Sequence, residues 1–155
     1  MEFELLSQLE SSINQLDKHE TILVIDDDEA TSCFLAKNLN QQGFKTATAN
    51  SGKKGLTMAR SQHPNLIILD VSLPDMDGFA FCESLGGLPE TCSIPVIMLS
   101  GTDSPGIVRH ARAAGAHFFV RKPFDPNALL VLVKQAIRDT MLWAEDESDF
   151  GCDLI

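Results

Sequence analysis

Stretches of strand-like apolar residues alternate five times along the chain with segments whose apolar positions recur at helical spacing. The unbroken apolar runs Ile22-Leu23-Val24-Ile25, Leu66-Ile67-Ile68-Leu69 and Val96-Ile97-Met98-Leu99 have the form of strands covered on both faces, since a strand facing water on one side alternates polar and apolar residues. The pattern predicts strands at 21–25, 44–49, 65–69, 94–99 and 117–120. Helices are predicted between them at 29–41, 51–62, 77–86 and 104–114, followed by a last helix over 126–142. Gly43 after the first helix, Pro64 before the third strand and Gly115 after the fourth helix stand where such a succession needs breaks. Strict alternation of strand and helix is the signature of an α/β fold, a doubly wound five-stranded parallel sheet with helices on both faces.

In such a sheet, ligands bind beyond the carboxyl ends of the strands, where successive crossovers leave in opposite directions. Asp26, Asp27, Asp70, Ser100 and Lys122 all fall at or just past a predicted strand end, on that rim. Four separate strands thus deliver polar side chains to one place. The strand at 44–49 delivers nothing comparable, as expected of an edge strand away from the crevice.

Charge divides the chain into a neutral body and acidic ends. Residues 21–138 carry 11 acids and 11 bases, whereas the first 20 residues carry a net −4 and residues 139–155 a net −6, which together make the overall −10. Without a concentrated basic face, nucleic-acid binding is not expected. Residues 1–19 read as an N-terminal amphipathic helical extension with Leu6, Leu9, Ile13 and Leu16 on one face. A docking or dimer helix and a frayed extension both fit it. Residues 20–142 form the predicted domain, and 143–155 an acidic, solvated C-terminal tail whose start Trp143 anchors.

The four cysteines (Cys33, Cys82, Cys92, Cys152) contain no C-x-x-C pair, which points to reduced thiols in a cytoplasmic protein. The N-terminus has no secretory or membrane-spanning pattern, so no membrane association is expected. The four histidines lack metal-ligand spacing. In the last helix Leu129, Leu132, Val133 and Ala136 suit the core, while Leu130, Ile137 and Met141 point elsewhere, which fits either a partner surface or a tightly covered helix.

Mg²⁺ takes near-octahedral oxygen ligands, keeps several waters and is bound by one or two carboxylates plus a phosphate. Asp27 and Asp70 suit direct ligation, and Asp26 ligation through a water. A carboxylate beside such an ion can attack a phosphoryl group if other charges neutralise the transferring oxygens. Lys122 and the ion would do so, with the Ser100 hydroxyl and the backbone N–H groups of Gly101 and Thr102 completing the cradle.

These residues resemble the receiver domain of two-component response regulators, of the chemotaxis-regulator type, over about residues 20–142. The paired acids after a strand match Asp26-Asp27, and the phosphoacceptor motif matches Leu69-Asp70-Val71-Ser72-Leu73-Pro74-Asp75-Met76-Asp77-Gly78. The switch hydroxyl matches Ser100, and the Lys-Pro pair, which the family typically holds in cis, matches Lys122-Pro123. The resemblance implies the flavodoxin-like strand order 2-1-3-4-5 and a phosphoryl group accepted on Asp70 from a histidine kinase or phosphotransfer protein. It also implies Mg²⁺ (or Mn²⁺) held by Asp26, Asp27, Asp70 and the Ser72 carbonyl, with Lys122 pairing with the phosphoryl group. Ser100 and Phe119 take the places of the family's switch pair, although Phe119 lacks the hydroxyl of the commoner Tyr.

The expected function is a stand-alone receiver whose output is a downstream protein target or a homodimer, with a receiver cut from a longer regulator or hybrid kinase as the kindred alternative. Among enzymes the rival is a Mg²⁺-dependent phosphohydrolase of the haloacid-dehalogenase type, because Asp26-Asp27-Asp28 offers its D-x-D pattern. Ala30 stands where that family places a hydroxyl, and there is no cap domain. An unphosphorylated scaffold is the structural rival, but such domains usually lose one of the acids or the lysine.

Overall fold

The computed structural model describes Glu2, residues 4–7, residues 20–102 and residues 104–150. Five parallel strands, β1 (Thr21–Ile25), β2 (Lys45–Ala49), β3 (Leu66–Asp70), β4 (Val96–Ser100) and β5 (Phe118–Arg121), form one sheet in the order β2-β1-β3-β4-β5. Helices α1 (Glu29–Gln41), α2 (Gly52–Gln62), α3 (Gly78–Gly86), α4 (Ile107–Ala114) and α5 (Pro126–Phe150) provide the crossovers and the C-terminal cover.

Alternate residues of each central strand point to opposite faces, so each face has its own core. Leu23, Ile25, Ile67, Leu69, Val96 and Met98 pack under Ala59, Phe81, Leu85 and Ala111 of α2, α3 and α4. Ile22, Val24, Leu66, Ile68, Ile97 and Leu99 pack under Leu35, Leu39, Leu129 and Val133 of α1 and α5. Because the chain goes outward from β1 to β2 and then crosses back to β3, the connections after β1 and β3 leave on opposite faces of the sheet. A crevice therefore opens between the C-terminal tips of β1 and β3. That crossing fixes the site, and the apolar runs fix which residues end there.

Local chemistry sets the helix boundaries. Asp28 caps α1 by accepting from Ala30 N, Asp77 caps α3 by accepting from Ala80 N, and Gly115 ends α4 at φ +109°, a backbone region open mainly to glycine. Two boundaries differ from the sequence expectation by more than two residues. The fourth helix begins at Ile107 rather than 104, because Gly106 at φ +79° admits a turn in which Ile107 N bonds Ser104 O before the α-helical ladder starts. The last helix runs to Phe150 rather than ending near 142, so residues 143–150 of the stretch expected as tail continue the helix through good helix formers such as Ala144, Glu145 and Glu147, and the rest of that stretch lies outside the described residues.

Of the two readings of the last helix's second apolar side, the tightly covered helix is the one observed for Leu130 and Ile137. Ile137 is buried in the α1/α5 core, and Leu130 and Leu132 pack against it, because α5 leans on α1 as well as on the sheet and so buries a wider arc. Val131, 63% exposed, is the large apolar residue this leaves facing outward among the α5 side chains described. Met141, like Leu9, Ile13, Leu16, His19 and Cys152, lies outside the side chains described. Leu6 is 57% exposed. Cys33, Cys82 and Cys92 are free thiols, and burial, seconded by the Glu83 charge, pushes Cys82 up to about 12. No helix among the described residues is long and apolar enough to cross a membrane.

Candidate functional site

Asp26 and Asp27 follow β1 directly, and Asp70 is the last residue of β3, its neighbour in the sheet. The crevice therefore receives three carboxylates, and Asp26, Asp27 and Asp70 each offer an oxygen within 4.8 Å of the others. Asp26 is buried at 2% exposure and Asp70 at 8%, whereas Asp27 is exposed. Oxygen ligands so spaced, with one open side, suit a hard divalent cation that retains water.

Lys122 arrives from beyond β5, two strands away from β3. Its Nζ donates to Asp70 Oδ2 at 3.0 Å and to Asp26 Oδ2 at 3.1 Å. The Lys122-Pro123 peptide is cis. Burial pushes the Asp26 carboxyl above its ordinary value of 3.8 and is reinforced by the Asp70 charge, outweighing the hydrogen bonds from Asp28 N and Lys122. Burial alone would lower Lys122, but its hydrogen bonds to Asp70 and Asp26, and their charges, hold the ammonium above 10.5. Three acids and one base in a small volume leave an excess of negative charge, which a bound cation would neutralise.

The remaining predicted residues sit around this cluster in different ways. Ser72 N donates to Asp70 Oδ1 at 3.0 Å, which seats the loop after β3 against the carboxylate. Gly78 is required there: a Cβ would lie 2.9 Å from Val71 Cα and 3.1 Å from Asp70 O, and Gly78 N bonds Val71 O at 2.8 Å. Ser100, at the tip of β4, is buried, but its hydroxyl is held within its own loop. It accepts from Thr102 N at 3.1 Å and lies 3.2 Å from both Thr102 O and Thr102 Oγ1. The Thr102 N–H expected in the cradle is therefore engaged locally, as a short hydroxyl-bearing turn favours. Phe119 is half-buried on edge strand β5 and packs against the α2/α3/α4 core.

One participant was not legible as such in the sequence. Asp75, in the loop between β3 and α3, accepts from Gly52 N and Lys53 N of α2 through its two carboxylate oxygens, both at 2.8 Å. The signal was indirect: α2 has no acid in its first turn, and Ser51 Oγ accepts only from Lys54 N, so two further N–H groups needed an acceptor.

A family model for the response regulator receiver domain matches residues 22–134. The chain belongs to the response regulator receiver family. It is 34% identical over 131 residues to the transcriptional regulatory protein AfsQ1 of Streptomyces coelicolor, covering 84% of this chain and 57% of that one. It is 37% identical over 117 residues to the response regulator PleD of Caulobacter vibrioides, covering 76% of this chain and 26% of that one. This receiver chain thus spans less than two thirds of the length of these curated relatives. A solved CheY-like receiver from Methanospirillum hungatei superposes with a TM-score of 0.75 at 27% identity, covering 80% of this chain and 98% of that one. The Vibrio cholerae chemotaxis regulator CheY4 does so at 0.72 and 28%, covering 77% and 99%. Receiver domains are phosphoacceptor signalling modules of two-component systems, which sets aside the phosphohydrolase reading.

Proposed function

We propose that this chain acts as a cytoplasmic receiver that accepts a phosphoryl group on Asp70 from a histidine kinase or phosphotransfer protein and thereby switches a protein-interaction surface. The observation that carries the reading is the meeting of Asp26, Asp27, Asp70 and Lys122 at one crevice although they come from three separate strand ends. Asp26, Asp27 and Asp70, with the Ser72 carbonyl, are the residues that would hold Mg²⁺ or Mn²⁺. When bound, the ion supplies positive charge to the transferring phosphoryl oxygens.

Asp70 supplies the nucleophile. One of its carboxylate oxygens forms a bond to phosphorus while the bond between phosphorus and the donor nitrogen breaks, the electron pair leaving with the donor imidazole. Lys122 is already within hydrogen-bonding distance of Asp70 and would shift its donation to a phosphoryl oxygen. Ser100 would exchange its hydrogen bonds with Thr102 for one to the new phosphate, favouring a different arrangement of the β4–α4 loop. Phe119 lies on β5 beside Met98 of β4, where movement of that loop would reach its packing. The neutral body and acidic ends favour a protein target or a second copy over nucleic acid as the output.

The reading is tested by intact-mass analysis after incubation with Mg²⁺ and acetyl phosphate. The expected result is a single added phosphate on the native protein and none on Asp70→Asn. No adduct on the native protein, or an undiminished adduct on the variant, overturns it.

A further inference from the structure

We propose that Asp75 is a positioning residue of the metal centre: by capping the first turn of α2 it holds the loop that carries Asp70 and Ser72 in register. This rests on the reading of Asp26, Asp27, Asp70 and Ser72 as the divalent-cation ligands. Residues 71–78 leave β3 and return into α3 as a narrow loop. Its base is closed by Gly78 N to Val71 O at 2.8 Å and by the antiparallel bridge between Ser72 and Asp77. Its tip is fastened differently, to another element altogether.

At that tip Asp75 places both carboxylate oxygens on the N–H groups of Gly52 and Lys53 at 2.8 Å. An ionised carboxylate on a helix N-terminus satisfies orphan donors and meets the positive end of the helix dipole. The same two backbone donors hold Asp75 below the ordinary 3.8. Met76 seals the contact by lying on Gly52 so closely that a Cβ there would overlap its side chain.

Asp75 is exposed and belongs to neither core, so its effect is one of geometry rather than burial. Tied together by the Ser72–Asp77 bridge, residues 72–77 form one unit hinged where Val71 and Gly78 join the sheet and α3, so that once freed from α2 the whole unit could pivot there and carry the Ser72 carbonyl with it. A ligand carbonyl must be held within about half an ångström to be useful. Groups that orient metal ligands from outside commonly affect metal affinity by about tenfold or more.

The test is calorimetric titration of Mg²⁺ into the full chain, well below its unfolding temperature, with thermal unfolding followed in parallel. Asp75→Ala is expected to weaken Mg²⁺ binding about tenfold, and Asp75→Asn, which keeps one acceptor, to weaken it less. Ser51→Ala removes the helix's own cap without touching the loop, and is expected to lower the unfolding temperature while leaving Mg²⁺ affinity within about twofold. Native-like affinity in Asp75→Ala overturns the inference. So does an equal loss in Ser51→Ala, which would trace the effect to helix stability. A native protein that binds no Mg²⁺ would instead refute the underlying metal-site reading.

Discussion

Lys122 Nζ lies 3.0 Å from Asp70 Oδ2, closing a contact between residues 52 positions apart whose strands are separated by β4. The same ammonium bonds Asp26, so it occupies carboxylate lone pairs that a cation would otherwise use. Its two contributions to the site therefore have opposite signs. Lys122→Ala is expected to bind Mg²⁺ at least as tightly as the native chain, because a competing positive charge is gone. Phosphate uptake from acetyl phosphate should slow by about a hundredfold, the scale for losing one preorganised donor to a transferring group. Mg²⁺ titration and a mass-spectrometric time course separate the two effects, and a parallel fall in both would show that Lys122 serves only to assemble the carboxylates.

Asp26 gives the protein a pH dependence of unusual sign. Its folded-state pKa is raised above 3.8 by burial and the Asp70 charge, so the native state binds a proton that the unfolded state does not between 3.8 and that raised value. Metal-free stability should accordingly rise as pH falls through this window. Below 3.8 the trend reverses, because Asp28 and Asp75 are held under 3.8 by their hydrogen bonds and lose those caps on protonation. Mg²⁺ binding should weaken as Asp26 takes up its proton. Stabilisation by Mg²⁺ at a hundredfold excess over Kd, about 2.7 kcal/mol, should thus fade as pH falls through that window and be lost in Asp26→Asn. Urea unfolding at several pH values with and without Mg²⁺ measures both trends; metal-free stability that falls steadily from neutral pH to 3.8 would contradict the assignment to Asp26.

Two helical glycines should respond to alanine with opposite signs. In α2, a Cβ on Gly55 would lie 2.5 Å from Ile25 Cδ1 and 3.1 Å from Phe81 Cε2, and both of those side chains are fully buried. The helix-propensity gain from alanine, about 1 kcal/mol, is then exceeded by overpacking of about 1–3 kcal/mol. Gly86, at the end of α3, has nothing within 4 Å of its Cβ position and keeps only the gain. Gly55→Ala is expected to lower the urea midpoint and Gly86→Ala to raise it or leave it unchanged. A stabilised Gly55→Ala would mean that α2 can move away from β1 at little cost.

The sequence by itself determined the sheet and most of the carboxylate site, because both rest on local patterns. An apolar run that stops at Asp26 or Asp70 marks a strand and its acidic tip together, and the predicted strands lie within two residues of the observed ones. Only the tertiary structure decided what depended on partners distant in sequence. Asp75 is an unremarkable loop acid until α2 is brought against it, and the Ser100 hydroxyl turns to Thr102 through the local course of its loop. Ile137 faces outward in a one-sided helical pattern and inward once α1 lies beside α5. Periodicity records that a side chain will be covered, whereas packing chooses the element that covers it.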